Sequence, residues 1–182
     1  MIAHAYATQF GSSTASVTWG ECPLPGTTAY EQNKGTPALF HFNFHSILDL
    51  PEALTAGRES IYLKHFYDKL TYNPHAITDV DLHRYVTQFS QAGAMRCGFN
   101  LYRTFEQDAE QNRRCREKDG KCKVPCMVLS GGKSMLKEFA RAMADEMYEG
   151  ADVAEVDDAA HWIAEENPEG FVKKVLEFVE KK

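Results

Sequence analysis

Long hydrophobic runs, a secretory leader and an excess of positive charge are all missing from this sequence of 182 residues. The apolar stretches are a few residues long, so no membrane-spanning helix is expected. The opening segment MIAHAYATQF has no Lys, no Arg and no apolar core, which is untypical of a signal peptide. The net charge of -6 gives no reason to expect nucleic acid as a partner.

A paired CxxC motif is also missing. The five cysteines are scattered through the chain, at Cys22, Cys97, Cys115, Cys122 and Cys126. An odd, unpaired set argues against a disulfide scaffold and for reduced thiols in a cytoplasmic compartment. The spacing of the last three does not match a structural zinc site. We therefore predict no metal and no other cofactor.

What is present is an ordinary globular composition, with 43% hydrophobic and 25% charged residues, and an alternation of helices and strands. The spacing of Ile2, Ala5, Tyr6 and Phe10 predicts the tail of a helix over residues 1–9. The segment SVTWG at 16–20 then predicts a short buried strand, which the Pro-rich turn ECPLPG ends.

Helical patterns fill the stretch from residue 27 to residue 121. One apolar helix face combines Leu63, Phe66, Tyr67 and Leu70, and Thr78 is a predicted N-cap for the next helix. A single long helix is predicted from Met95 to Lys118, with a charged, solvated far end.

Strands and helices alternate again in the last third. VPCMVL at 124–129 predicts a strand covered on both faces, and Ser130-Gly131-Gly132 a turn into a helix. A weaker strand covers 152–156. Pro168 opens a last helix that is expected to bury Phe171, Val172, Val175, Leu176 and Val179. The fold class is α/β, with about three parallel strands and an inserted helical cap. The predicted parts are a core fragment at 1–26, a helical cap at 27–121 and a C-terminal core at 122–182.

Four side chains are candidates for chemistry. Glu21 follows the first predicted strand and His161 follows the last, and the carboxyl ends of parallel strands meet at one edge of a sheet. A histidine held by a carboxylate is a common general base near neutral pH. His41 lies in the aromatic segment FHFNFH, and Tyr102 on the long predicted helix.

Each candidate also has a structural interpretation. A Glu after a strand is commonly a solvated turn residue, and His161 beside Trp162 fits a residue that covers the edge of the core. Among aromatic residues, His41 and Tyr102 fit simple packing. Spacing alone does not choose between the two interpretations.

Several longer segments together resemble the α/β-hydrolases that include epoxide hydrolases and haloacetate dehalogenases. These segments are HAYATQF, WGECPLPGT, HFNFH, DLPEALTAGRESIYLKHF, NLYR, VLSGGKS and AAHWIAEENPE. The resemblance covers nearly the whole chain and implies a partial α/β-hydrolase fold with a cap.

The resemblance also implies roles for the four candidates. Glu21 corresponds to the charge-relay acid and His161 to the histidine that activates water. His41 and Tyr102 correspond to the pair on the cap that hydrogen-bonds the epoxide oxygen. In this family an Asp in a G-H-D-x-G elbow attacks the substrate carbon, and the helix after that elbow matches MIAHAYATQF. No elbow occurs in these 182 residues, so the chain is expected to be a truncated, inactive form of an epoxide hydrolase.

Two other functions stay open. A haloacetate dehalogenase is disfavoured because Phe42, rather than the expected Trp, follows His41 and offers no N–H to a halide. A non-catalytic protein that binds small apolar molecules is the other alternative. The expected ligand is a small apolar epoxide or halogenated compound. Self-association through an exposed sheet edge is also expected, since three strands leave an edge unpaired.

Overall fold

The computed structural model describes residues 1–181. Three strands form one parallel sheet in the order β1-β2-β3, namely β1 (Val17–Gly20), β2 (Cys126–Gly131) and β3 (Asp152–Val156). Val17 pairs with Cys126, and Met127 pairs with Asp152. The parallel α/β architecture expected from the sequence is confirmed, and β1 lies at an edge of the sheet formed by the described residues.

Helices surround this sheet and fill the connection between β1 and β2. The helices are α1 (Ile2–Gln9), α2 (Thr28–Asn33), α3 (Phe40–Ser46), α4 (Leu50–Thr55), α5 (Glu59–Leu70), α6 (Asp79–Phe89), α7 (Ala94–Arg103), α8 (Phe105–Asp119), α9 (Lys137–Met147), α10 (Ile163–Glu166) and α11 (Pro168–Val179). Residues 27–121, which hold α2 to α8, are called the helical insert below. The predicted C-terminal part ends at Lys182, which lies outside the described residues.

The central strand β2 divides the core because successive side chains of a strand point to opposite faces. Cys126 and Val128 join the cluster formed with α1 and α9, whereas Met127 and Leu129 join the cluster formed with α11. All six residues of β2 are buried, as expected for a strand covered on both faces. Burying a side chain such as Val128 stabilises the fold by about 1.5–3 kcal/mol.

The helix predicted to run unbroken from Met95 to Lys118 is in fact two helices. They meet at Thr104, whose hydroxyl donates to the carbonyl of Leu101 at 2.9 Å. Such a local bond competes with the helical ladder. The break lets Phe99 pack inside the insert while Phe105 packs against Tyr30. Periodicity alone could not show it, because both halves are helical.

The buried sides of two helices differ in part from the apolar patterns seen in the sequence. In α1, Ile2 is 83% exposed, and the buried residues are His4 and Ala7. In α11, Phe171 and Val175 pack against the core as predicted, together with the buried Phe178. Val172, Leu176 and Val179, which were also expected to be buried, are each about half exposed. Both helices carry two apolar stripes, and only packing against the sheet decides which stripe is covered. The strand β2 also extends to Gly131, past the end predicted at residue 129.

Other local predictions were confirmed. Thr78 caps α6, and its hydroxyl and the Asp81 carboxylate form a reciprocal capping box. Pro168 begins α11, and β3 has the predicted bounds. None of the described helices is long and apolar enough to cross a membrane.

Candidate active site

The residue after β1 carries the most constrained side chain of the site. Glu21 has a φ of 51°, a left-handed conformation that non-glycine residues rarely adopt. Its carboxylate is 8% exposed and accepts three hydrogen bonds. The Gly131 N–H donates to Oε1 at 2.9 Å, and the Ser134 hydroxyl and His161 Nδ1 contact Oε2 at 2.8 and 3.0 Å. The backbone strain therefore positions a buried, fully engaged carboxylate.

His161 lies in the loop between β3 and α10. Because an ionised carboxylate can only accept, the bond to Glu21 makes Nδ1 the donor, so in the neutral imidazole Nε2 carries the lone pair. No hydrogen bond from residues 1–181 engages Nε2. The backbone N–H of His161 donates to the Leu70 carbonyl of the insert at 3.1 Å. This arrangement can accept a proton at Nε2 while the carboxylate stabilises the resulting imidazolium.

Gly131 makes the approach of the His161 loop to the sheet possible. A Cβ at this position would lie 2.1 Å from the Ala160 carbonyl oxygen and 2.5 Å from that of Ala159. Only glycine leaves room for this contact. The end of β2 around Gly131, which was interpreted from the sequence as a turn, thus lets the His161 loop come close enough for His161 to contact Glu21.

The insert contributes His41 from α3 and Tyr102 from α7. Their rings meet edge to face, with centroids 5.7 Å apart. His41 Nδ1 is buried without a hydrogen-bond partner among the described residues, and none of them bonds the Tyr102 hydroxyl. Burial, with smaller effects from His161, His65 and Lys69, lowers the pKa of His41 to about 4, and burial raises the pKa of Tyr102. Both groups are therefore neutral hydrogen-bond donors at neutral pH.

All four candidate residues line one cavity of about 380 Å³ between the sheet edge and the insert. A second cavity of about 300 Å³ lies between the insert and the His161 loop, and His41, Tyr102 and His161 line both cavities. The lining of the second cavity includes no Asp, Glu, Lys or Arg. The chain folds so that the proton acceptor of the core faces the donors of the insert across a space that admits a small molecule.

Sequence reasoning missed several residues around this site. His45 is 5% exposed, and its ring packs against the rings of His41 and Tyr102. Its Nε2 lies 2.5 Å from the Tyr62 hydroxyl. The spacing of the two histidines in FHFNFH, four residues apart on one helix face, was the available signal. Ser134 and Gly131, the donors to Glu21, had no signal beyond following a strand.

Metal binding and a Cys22 nucleophile are the alternatives to weigh within the described residues. No group of three or more His, Cys, Asp and Glu side chains within 1–181 could hold a metal ion. The five cysteines are free thiols. Cys22, beside Glu21, has its pKa raised by burial, so its thiolate is disfavoured as a nucleophile.

Known proteins are similar to this chain in sequence and in fold. The chain is 28% identical over 142 residues to a soluble epoxide hydrolase of Corynebacterium sp. (strain C12), a match that covers 76% of the chain and 48% of that protein. Among solved structures it resembles Cfl2 from Burkholderia cenocepacia, with a TM-score of 0.90, 27% identity, and 98% of the chain and 61% of Cfl2 covered. The epoxide hydrolase CorEH matches with a TM-score of 0.84 at 21% identity, over 99% of the chain and 64% of CorEH.

No protein-family model matches the chain. The fold and the relatives nevertheless confirm the resemblance inferred from the sequence, since the chain has the fold of α/β-hydrolases and is similar in sequence to a protein named as a soluble epoxide hydrolase. It spans about half the length of the curated relative that it matches.

Proposed function

We propose that this chain carries the water-activating and oxygen-binding half of an epoxide hydrolase active site. The observation that carries the proposal is the cavity in which a carboxylate-held histidine faces two neutral donors with unused hydrogen-bonding capacity. In this proposal the helical insert acts as the cap over the site, and a small apolar epoxide is the ligand.

The chemistry assigns one task to each side of the cavity. In the first step an Asp carboxylate attacks an epoxide carbon, the carbon–oxygen bond breaks, and the resulting alkoxide takes a proton from Tyr102 or His41. In the second step His161 Nε2 accepts a proton from water, and the hydroxide attacks the ester carbonyl. As the intermediate collapses, the proton of the added hydroxyl group passes to the departing alcohol oxygen, so the diol leaves and the Asp carboxylate is regenerated. The proton on His161 then restores the donor, Tyr102 or His41, that was deprotonated in the first step.

The attacking Asp is proposed to lie outside these 182 residues, in a longer parent protein. The family's G-H-D-x-G elbow does not occur in the sequence, and the chain covers only about half of its curated relative. We therefore expect the chain by itself to bind an epoxide without forming the ester.

The test has two arms, with styrene oxide as the probe. The genomic frame upstream of Met1 should encode a strand followed by G-H-D-x-G, and the protein from that longer frame should produce phenylethanediol. His161→Gln in that protein should slow release of the ester by about 10²–10⁴-fold, with an ester adduct visible by mass spectrometry. An upstream frame without the elbow would sink the proposal of a longer parent.

The second arm uses the 182-residue chain. Styrene oxide should shift the NMR signals of His41 and His161 without diol formation. Diol formation by this chain, abolished by His161→Gln, would show that it carries its own nucleophile and would overturn the proposed inactivity. Absence of both binding and turnover would overturn the ligand assignment.

A haloacid substrate is the second candidate function. Phe42 offers no N–H to a halide, but Trp162 Nε1 is buried without a partner among the described residues, and its ring lines the second cavity. An indole donor is therefore present after all. Fluoride release from fluoroacetate by the longer protein, without diol from styrene oxide, would favour this candidate.

A further inference from the structure

One buried carboxylate outside the four-residue site joins the core to the insert. Glu166, the last residue of α10, is 8% exposed and accepts four backbone hydrogen bonds. Its Oε1 accepts from the N–H groups of Ala160 at 3.0 Å and Trp162 at 3.1 Å. Its Oε2 accepts from those of Tyr72 at 2.6 Å and Asn73 at 2.9 Å.

The two oxygens serve different parts of the molecule. Ala160 and Trp162 flank His161 in sequence, so Oε1 fixes the loop that carries the proton acceptor. Tyr72 and Asn73 lie in the helical insert, just after α5, so Oε2 fixes the segment beside the cavity. The His161 N–H between these donors bonds the Leu70 carbonyl of the same insert segment.

Local helix capping explains only part of this pattern. A carboxylate that reaches back to the start of a short helix would account for the bonds to Trp162 and Ala160. It would not account for the bonds to residues 94 and 93 positions away in the chain. Burial acts most strongly on Glu166 and by itself raises its pKa, yet the N–H donors hold the pKa below its ordinary value. The carboxylate is therefore ionised, and its bonds are charge-assisted.

We propose that Glu166 is a positioning residue that locks the His161 loop to the helical insert and so sets the distance between His161 and the donors His41 and Tyr102. The catalytic meaning of this lock rests on the proposed function above. The lock itself is a property of the fold and can be measured without turnover.

The test replaces the carboxylate by an amide of the same shape in the 182-residue chain. Glu166→Gln retains one acceptor oxygen and turns an NH₂ group toward two N–H donors, so bonds on one side must break. The matched control is Glu169→Gln, which removes an exposed carboxylate three residues away. The readouts are amide hydrogen exchange and the NMR signal of the His161 Nδ1 proton that is bonded to Glu21.

We expect Glu166→Gln to accelerate exchange of the Tyr72, Asn73, Ala160 and Trp162 amides by about tenfold relative to those of β2, and to broaden or shift the His161 Nδ1 proton signal. A merely structural role would accelerate the β2 amides equally. Unchanged exchange at the four amides, or an unchanged His161 signal, would overturn the proposal.

A second variant guards against a protein that fails to fold. Glu166→Asp keeps the charge but shortens the side chain by one methylene, so it can reach only one of the two segments. Faster hydrogen exchange in either amide pair, Tyr72 with Asn73 or Ala160 with Trp162, supports the lock. Unchanged exchange in both pairs contradicts it. Diol formation by the longer protein is scored separately, so a failed lock and a failed function give different results.

Discussion

The core and the helical insert hold their halves of the candidate site by different physical means. In the core, the Glu21 carboxylate is saturated by hydrogen bonds, and one of them fixes the tautomer of His161. In the insert, aromatic packing holds His41 and Tyr102, and their polar atoms have unused hydrogen-bonding capacity. The Glu21 carboxylate is thus satisfied without a ligand. In the insert, the buried Nδ1 of His41 has no partner among the described residues and is free to bond a ligand.

This difference has an energetic consequence. Bonds to a buried carboxylate stabilise the fold, and their loss leaves buried donors unpaired. A buried nitrogen without a partner instead costs stability, which is tolerated where a ligand provides the bond. Substitutions of similar size should therefore have opposite effects in the two regions.

The largest effect is expected from adding a methyl group where the core is tightest. Gly131→Ala places Cβ against the carbonyl oxygens of Ala160 and Ala159, so either the strand or the His161 loop must move. We expect a loss of about 3 kcal/mol or more in the free energy of unfolding. Urea denaturation followed by circular dichroism measures it.

The matched change in the insert should have the opposite sign. A Cβ at Gly98 in α7 would meet the Phe89 ring at 3.5 Å, an ordinary contact. Gly98→Ala should stabilise the protein by about 0.5–1 kcal/mol, because glycine is disfavoured within a helix. Equal losses from both substitutions would show that the insert is packed as tightly as the core.

The next predicted changes in stability come from removing the Glu21 carboxylate of the core and the His41 imidazole of the insert. Glu21→Gln keeps the shape but loses the charge-assisted bonds, and should lower the free energy of unfolding by about 2 kcal/mol.

His41→Phe, in the insert, removes an unpartnered buried nitrogen and should be neutral or slightly stabilising at pH 7. Both values come from urea denaturation. A clear loss of stability in His41→Phe would mean that the nitrogen has a partner after all.

The pH dependence of the free energy of unfolding tests the same difference between the core and the insert. The pKa of His41 is about 4 in the folded protein against an ordinary 6.5, so the unfolded chain takes up the proton first. The stability associated with this group is complete above pH 6.5 and is lost as the pH falls toward 4. His41→Phe should reduce the slope by up to about 1.4 kcal/mol per pH unit in this window. The same slope in both proteins would place the lowered pKa elsewhere.

The smallest effect on stability is expected from the ligand-facing hydroxyl. Tyr102→Phe removes a donor that no described residue uses, so stability should hardly change. Binding of styrene oxide should weaken by about tenfold through the loss of one hydrogen bond. An NMR titration provides the affinity, and Tyr85→Phe, on a helix outside the first cavity, is the control. Equal weakening in both variants would remove Tyr102 from the oxygen-binding pair.

Much of the fold was predictable from the sequence. The bounds of β3, the start of α11 and the capping of α6 follow from local signals, namely an apolar run, Pro168 and Thr78. The break at Thr104 and the buried stripes of α1 and α11 were not predictable. The buried stripe of each helix depends on which neighbouring element packs against it. The break at Thr104 lets Phe99 and Phe105 pack against different neighbours, which a helical pattern does not reveal.

For the candidate site, the sequence by itself determined which residue types follow the strands and which aromatic segment accompanies them. The resemblance to a family of hydrolases then nominated Glu21, His161, His41 and Tyr102. Only the tertiary structure decided that Glu21 and His161, separated by 140 positions, lie 3.0 Å apart. Only it decided that Gly131 permits this approach and that Glu166 ties the loop to the insert. The reason is physical: side-chain chemistry is local, whereas the distances that turn it into a site depend on long-range packing.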